Sequence, residues 1–137
     1  MELGSINKAG FRNHLFFELK EGSDIIHILF YPLVYYSVIL GRFITINSGF
    51  YTDLASVPRI PFIYNLWGNR AHREAILHDY LYRKDSDPIV SYSMANRIFL
   101  EAMESRGVKP WIRNPMYWGV CLGGFTSYHR RNVGDIL

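Results

Sequence analysis

The chain has 137 residues, of which 49% are hydrophobic and 20% are charged, so it can bury a core and does not have a disordered protein's composition. Fifteen basic and twelve acidic residues leave a net charge of +3, a bias too weak to indicate nucleic-acid binding. The single cysteine, Cys121, excludes an internal disulfide and therefore the disulfide-stapled secreted folds.

The first part of the chain, residues 1–60, has the residue types and the alternation that are typical of β structure. Four strands are predicted, at residues 14–20, 25–31, 33–39 and 42–48, and the segment 48–62 is predicted to be the end of a strand that runs into a loop. In the last of them Ile44 and Ile46 alternate with Thr45 and Asn47, as in a strand with one buried face. The last two strands flank a short turn, which predicts a hairpin.

The apolar run at residues 25–40 has to be tested as a membrane span. It is 16 residues long, which is shorter than the roughly 20 residues that a helix needs to cross a bilayer. It also contains His27 and Pro32. The run therefore fits β structure better, and we expect no transmembrane span.

The later part of the chain, residues 69–125, has helical spacing of its apolar residues. Three helices are predicted, at residues 69–84, 91–107 and 110–125. Ser91 or Ser93 caps the second helix, and the third begins at Pro110 or at Pro115. The sequence therefore predicts a single domain of the α+β class, in which a small antiparallel sheet packs against two or three helices.

A histidine and an aspartate, His78 and Asp79, stand side by side within the first predicted helix. Their side chains point about 100° apart, so they can flank one pocket but cannot meet on one atom. His78 has the chemistry of a general base on water, and Asp79 that of a ligand for a hard cation such as Ca²⁺. Asn96 on the next helix is a candidate to accept the second N–H of His78 and so to fix its tautomer.

A structural role is the alternative for this pair. In that interpretation His78 and Asp79 satisfy backbone groups, or pair with one of the arginines Arg59, Arg70 and Arg73. A buried polar network of this kind would anchor the helix to the rest of the fold.

A second group of polar residues, Thr52, Asp53 and Ser56, leaves a predicted strand and enters a loop that ends at a proline. Such residues most often build a local turn through bonds between side chain and backbone. The functional alternative is that Asp53 faces His78, either as the group that orients it or as a second metal ligand.

Four segments in this order resemble a small family of phage and prophage proteins of unknown function: GFYTDLASVPR, AILHDYLY, MANRIFLEAM and RNPMYWGV. The resemblance covers roughly residues 41–129. It implies a gene product made in the cytoplasm of a bacterial host, with the virion as a further expected location. It implies no established activity.

The segment HDYLY also resembles the catalytic helix of phospholipase A-two enzymes, which carries His-Asp-x-x-Tyr and is followed by a helix with Asp before Phe. The resemblance implies that His78 is the base, that Asp79 binds calcium, and that Tyr82 belongs to the same site. Asn96 would stand where those enzymes have an aspartate, with Phe99 after it.

This sequence departs from the phospholipase pattern at two places. Asn96 is uncharged, so it cannot stabilise an imidazolium as a carboxylate would. The glycine-rich calcium loop of those enzymes is represented only by Gly68, although Asp53 could supply a carboxylate in its place.

Two functions follow as hypotheses. The first is a phage-encoded, metal-assisted hydrolase that acts on an ester in envelope lipid. The second is a non-catalytic virion or assembly component whose partners are other phage structural proteins. A modulator of a host protein is a third option, supported only by the small size and the phage context.

Overall fold

The computed structural model describes residues 8–53 and 72–137. Within these ranges the chain forms six strands: β1 (Gly10–Phe11), β2 (Phe17–Leu19), β3 (His27–Leu29), β4 (Leu33–Ser37), β5 (Arg42–Ile46) and β6 (Tyr51–Thr52). Three α-helices follow: α1 (His72–Leu81), α2 (Tyr92–Ser105) and α3 (Pro110–Gly123). One turn of 3₁₀ helix (Gly124–Thr126) extends α3. The predicted α+β class is confirmed.

The strands form two small antiparallel sheets. One sheet has the order β1-β4-β5 and the other the order β2-β3-β6. The predicted hairpin is the β4–β5 pair, in which Tyr35 lies opposite Ile44. Its turn contains Gly41 with a φ of 66°, a left-handed conformation that costs glycine little because it has no Cβ.

The strands are shorter than predicted, and one of them was missed. The strand predicted at residues 14–20 is reduced to three residues, and that at 25–31 likewise. The missed strand, β1, has only two residues, Gly10 and Phe11, which pair with Tyr36 and Tyr35 of β4. Two residues are too few to produce a recognisable alternation in the sequence.

The helix ends follow local chemistry. The hydroxyl oxygen of Ser91 accepts a hydrogen bond from the backbone N–H of Met94 at 3.1 Å, which makes Ser91 the N-cap of α2. Helix α3 begins at Pro110, where the missing N–H of proline would have no partner within the helix anyway. Helix α1 ends at Leu81, three residues before the predicted end.

Helix α2 connects the hairpin to the helical part of the core. Glu101 accepts a hydrogen bond from the hydroxyl of Tyr35 at 2.8 Å and another from the backbone N–H of Ile39 at 2.9 Å. On its buried side α2 contributes Ala95, Ile98, Phe99, Ala102 and Met103 to the core. None of the helices in the described ranges combines the length and the hydropathy that a membrane crossing requires.

Candidate functional site

Helix α1 is buried on all sides over most of its length. Every residue from Glu74 to Leu81 is buried, so the helix has no solvent-facing stripe. Its two central titratable residues, His78 and Asp79, are 0% and 5% exposed. The fold therefore places both members of the pair in the interior, where each polar atom needs a partner.

The imidazole of His78 contacts helix α2. Its Nε2 lies 2.7 Å from Oδ1 of Asn96, and the hydroxyl of Tyr82 donates to the same oxygen at 2.6 Å. The His78 ring also lies against the rings of Tyr82 and Phe99, with centroid separations of 4.1 Å and 4.9 Å. The contact proposed between His78 and Asn96 is therefore present.

The contact with Asn96 determines which nitrogen of His78 carries the proton. The Oδ1 atom of Asn96 can only accept, so Nε2 of a neutral His78 donates and Nδ1 carries the lone pair. Burial lowers the pKa of His78 from 6.5 to about 4, and the hydrogen bond to Asn96 opposes this only in part. At neutral pH the ring is therefore uncharged, with its acceptor nitrogen on the side away from Asn96.

The close approach of Gly124 to Tyr82 keeps the phenol in place. A Cβ added at Gly124 would overlap the Tyr82 hydroxyl and would lie 3.2 Å from two ring carbons, whereas a Cβ at Gly123 would meet nothing within 4 Å. We expect Gly124→Ala to lower the free energy of unfolding by about 1–3 kcal/mol, because the hydroxyl is tied to Asn96 and cannot move aside without loss. Chemical denaturation measures this, with Gly123→Ala as the matched control. Equal effects of the two variants would contradict the expectation.

The carboxylate of Asp79 points to a different set of partners. Its Oδ2 accepts from the hydroxyl of Thr52 at 2.5 Å and from the guanidinium of Arg83 at 2.9 Å. Burial raises the pKa of Asp79, while the charge of Arg83 and the hydrogen bond from Thr52 lower it. The contacts of His78 and Asp79 thus diverge: one side chain binds α2, and the other binds strand β6 and Arg83, just beyond the end of α1.

Arg83 holds three parts of the chain together. Besides Asp79, its guanidinium donates to the carbonyl of Tyr51 at 2.9 Å and to that of Asn132 at 3.0 Å. The side chain is almost fully buried and stacks over the ring of Phe50 at 4.8 Å. This residue was missed as a site residue. Its i, i+4 spacing from Asp79 was the available signal.

The remaining candidates lie near this cluster or outside the described ranges. The carboxylate of Asp53 accepts from Arg131 at 3.0 Å, and its charge raises the pKa of Asp79. Thr52 is buried and bonded to Asp79. Ser56 and Gly68 lie outside the described residues, as do Arg59 and Arg70. The described partner of Asp79 is Arg83, which was not among the arginines proposed for it.

The surroundings of Asp79 do not fit a calcium ion. Its Oδ2 is already bonded to a hydroxyl and lies 2.9 Å from a guanidinium, and such a fixed positive charge opposes the binding of a cation. Across residues 8–53 and 72–137 there is no group of three or more His, Cys, Asp or Glu side chains that could hold a metal ion.

The chain matches a known protein family over most of its length. The model of a family described as "Protein of unknown function (DUF1353)" matches residues 28–120. The match begins in β3 and ends in α3, so it includes Thr52, His78, Asp79, Arg83 and Asn96. Neither curated proteins nor solved structures gave a match.

Proposed function

Since the chain belongs to the DUF1353 family of proteins of unknown function, we propose that it is a non-catalytic component of a phage particle or of its assembly machinery. The phage context comes from the four sequence segments described above. The contacts of His78 and Asp79 support the non-catalytic role.

The observation that carries this proposal is the divergence of the two side chains. His78 is bonded to Asn96, whereas Asp79 is bonded to Thr52 and Arg83. Both are buried, and their contacts join α1 to α2, to β6 and to the residue that binds the C-terminal segment. Such a network fixes the arrangement of the elements without requiring a substrate.

The outer face of α3 supports a role in an assembly. Three large apolar side chains on this face are strongly exposed: Trp111 (63%), Trp118 (61%) and Leu122 (76%). They project within about 40° of one another around the helix, roughly opposite the buried Met116 and Val120. Exposed aromatic residues are enriched at protein interfaces, so we infer that another protein of the particle covers this face.

A hydrolase that uses His78 as its base is the second candidate. It is favoured by the tautomer of His78, whose acceptor nitrogen points away from Asn96 and is uncharged at neutral pH. The contacts of Tyr82 and Asn96 are those expected of groups that orient a base. The substrate would be an ester in envelope lipid.

One pair of measurements separates the two candidates. For the structural role we expect mass spectrometry of purified phage particles to find the chain at a stoichiometric level. We also expect the purified protein to release no fatty acid from phospholipid vesicles, with or without calcium. Release that is abolished by His78→Gln, together with absence from particles, would overturn the structural proposal in favour of the hydrolase.

A variant of the exposed face provides the control for assembly. Trp118→Ser with Leu122→Asp changes only strongly exposed residues, so it should fold normally and yet be lost from particles. Incorporation at the normal level would show that this face of α3 is not the contact surface.

A further inference from the structure

A pocket of about 230 Å³ lies where the end of α1 meets the segment that follows α3. Its walls are formed by Asp79, Tyr82, Arg83, Thr126, Ser127, Arg130 and Arg131. Its volume is below the roughly 300–1,000 Å³ of pockets for drug-sized ligands, so it suits a small ligand or one group of a larger ligand. The four residues from Thr126 onward lie outside the part of the chain that matches the family.

The charges around the pocket favour an anion. Three guanidinium groups line it against one carboxylate, that of Asp79, which Arg83 already neutralises at 2.9 Å. Arg131 pairs with Asp53, but a guanidinium has five N–H donors and this pairing uses only part of them. The hydroxyls of Thr126 and Ser127 add uncharged donors to the same walls.

Arg83 provides a second observation, since one of its hydrogen-bond donors has no acceptor in the described part of the chain. It is 1% exposed, and its Nε is buried without a hydrogen-bond partner in the described part of the chain. Its other two nitrogens are bonded to Asp79, Tyr51 and Asn132, so the guanidinium cannot turn to satisfy Nε without breaking those bonds. A buried donor left without an acceptor is costly, so the guanidinium of Arg83 is incompletely compensated and adds positive charge to this wall of the pocket.

The side chain of Arg130, in the segment that follows α3, also lines the pocket. Its Nε donates to the carbonyl of Thr126 at 3.1 Å, which holds the guanidinium beside the 3₁₀ turn. The terminal N–H groups of Arg130 lie in one plane and can donate two parallel hydrogen bonds to the oxygens of a phosphoryl group.

We propose that this pocket binds a phosphoryl group, held by the guanidinium groups of Arg130 and Arg131 and by the hydroxyls of Thr126 and Ser127, with the charge of the buried Arg83 beside it. The group belongs either to a soluble phosphate or phosphate monoester, or to a lipid headgroup. The proposal does not depend on the function proposed above, because the groups that bind the ligand, Arg130, Arg131, Thr126 and Ser127, take no part in the argument for that function.

Calorimetric titration of the full chain with inorganic phosphate, at constant ionic strength, tests the site. We expect saturable binding that Arg130→Gln weakens about tenfold, the effect of losing one charged hydrogen-bonding group. Ser127→Ala should weaken binding by a smaller factor. Arg42→Gln removes the same charge from a residue that does not line the pocket, and it should leave the affinity unchanged.

Two results would overturn the proposal. One is the absence of saturable binding at millimolar phosphate. The other is an equal affinity of the wild type, Arg130→Gln and Arg42→Gln. Arg130 is exposed, so a folding defect of its variant is not expected to obscure the comparison, and circular dichroism checks this.

The source of the phosphoryl group is identified by two further probes. Glycerol phosphate represents soluble monoesters, and vesicles containing phosphatidic acid represent lipid. If Arg130→Gln weakens both vesicle binding and phosphate binding, the ligand is a headgroup. If it weakens the binding of glycerol phosphate and leaves vesicle binding unchanged, the ligand is soluble. Binding to vesicles alone, unaffected by Arg130→Gln, would count against the pocket.

Discussion

Replacement of Arg83 by methionine is expected to lower the free energy of unfolding by about 3–5 kcal/mol, the usual cost of removing one partner of a buried ion pair. Asp79 would keep its buried charge without the guanidinium at 2.9 Å, and the carbonyls of Tyr51 and Asn132 would lose a donor. A loss of this size is a large part of the 5–15 kcal/mol typical of a domain. Denaturant unfolding measures it as a lower midpoint.

The exposed ion pair between Arg42 and Asp87 provides the matched control. Its side chains are 45% and 83% exposed, so Arg42→Met should cost no more than about 1 kcal/mol. A second control is the double variant Asp79→Leu with Arg83→Met, which removes both charges and should recover part of the loss. If Arg83→Met cost no more than Arg42→Met, the central role assigned to this pair would be wrong.

His78 is expected to make a contribution to the stability that is lost on acidification, because it is buried as a neutral ring. Burial lowers its pKa from 6.5 to about 4, so the unfolded chain takes up a proton at a higher pH than the folded chain. The contribution of His78 to the free energy of unfolding is therefore complete above pH 6.5 and is lost as the pH falls toward 4. It amounts to about 3 kcal/mol across this window, at 1.36 kcal/mol for each pH unit.

Other buried groups titrate in or near the same window, so the test compares two profiles. Burial raises the pKa of Glu74 to about 7, against the opposing charge of Arg106. This gives stability that is present below pH 4.5 and lost as the pH rises through 7, the opposite sign to His78. Burial also raises the pKa of Asp79. When the profile of unfolding free energy against pH of a His78 variant is subtracted from that of the wild type, the contributions of Glu74 and Asp79 cancel.

The informative variant is His78→Gln. Its amide can still donate to Asn96 but does not titrate, so its unfolding free energy should decline less between pH 6.5 and 4 than that of the wild type. His14→Gln at an exposed position serves as the control and should leave the wild-type profile unchanged. Parallel profiles for the wild type and His78→Gln would show that the ring is not held neutral by burial.

The features that could be predicted from the sequence are those that depend on neighbouring residues. The β4–β5 hairpin follows from alternation on either side of a glycine turn, and the start of α2 follows from a serine before an apolar helix. Asn96 was also named as a candidate partner of His78, because a histidine base needs a group that accepts its second N–H and because the phospholipase pattern has a polar residue at this place.

The partners of Asp79 could not be predicted with the same success, because they depend on how separate elements pack. Thr52 is 27 residues away along the chain and reaches Asp79 only because β6 lies beside α1. Four arginines could have paired with it by sequence, and Arg83 does so in the described part of the chain. The wall of the pocket formed by Arg130 and Arg131 has no periodic signal, since it lies in an irregular segment.

The burial of α1 on all sides has a consequence for how the protein opens. The helix is bonded to β6 through Asp79, to α2 through His78 and, just beyond its end, to the C-terminal segment through Arg83. None of these parts can detach without exposing α1. Its backbone amides should therefore exchange with deuterium only when the whole molecule unfolds, and the β-rich and α-rich halves should behave as a single cooperative unit.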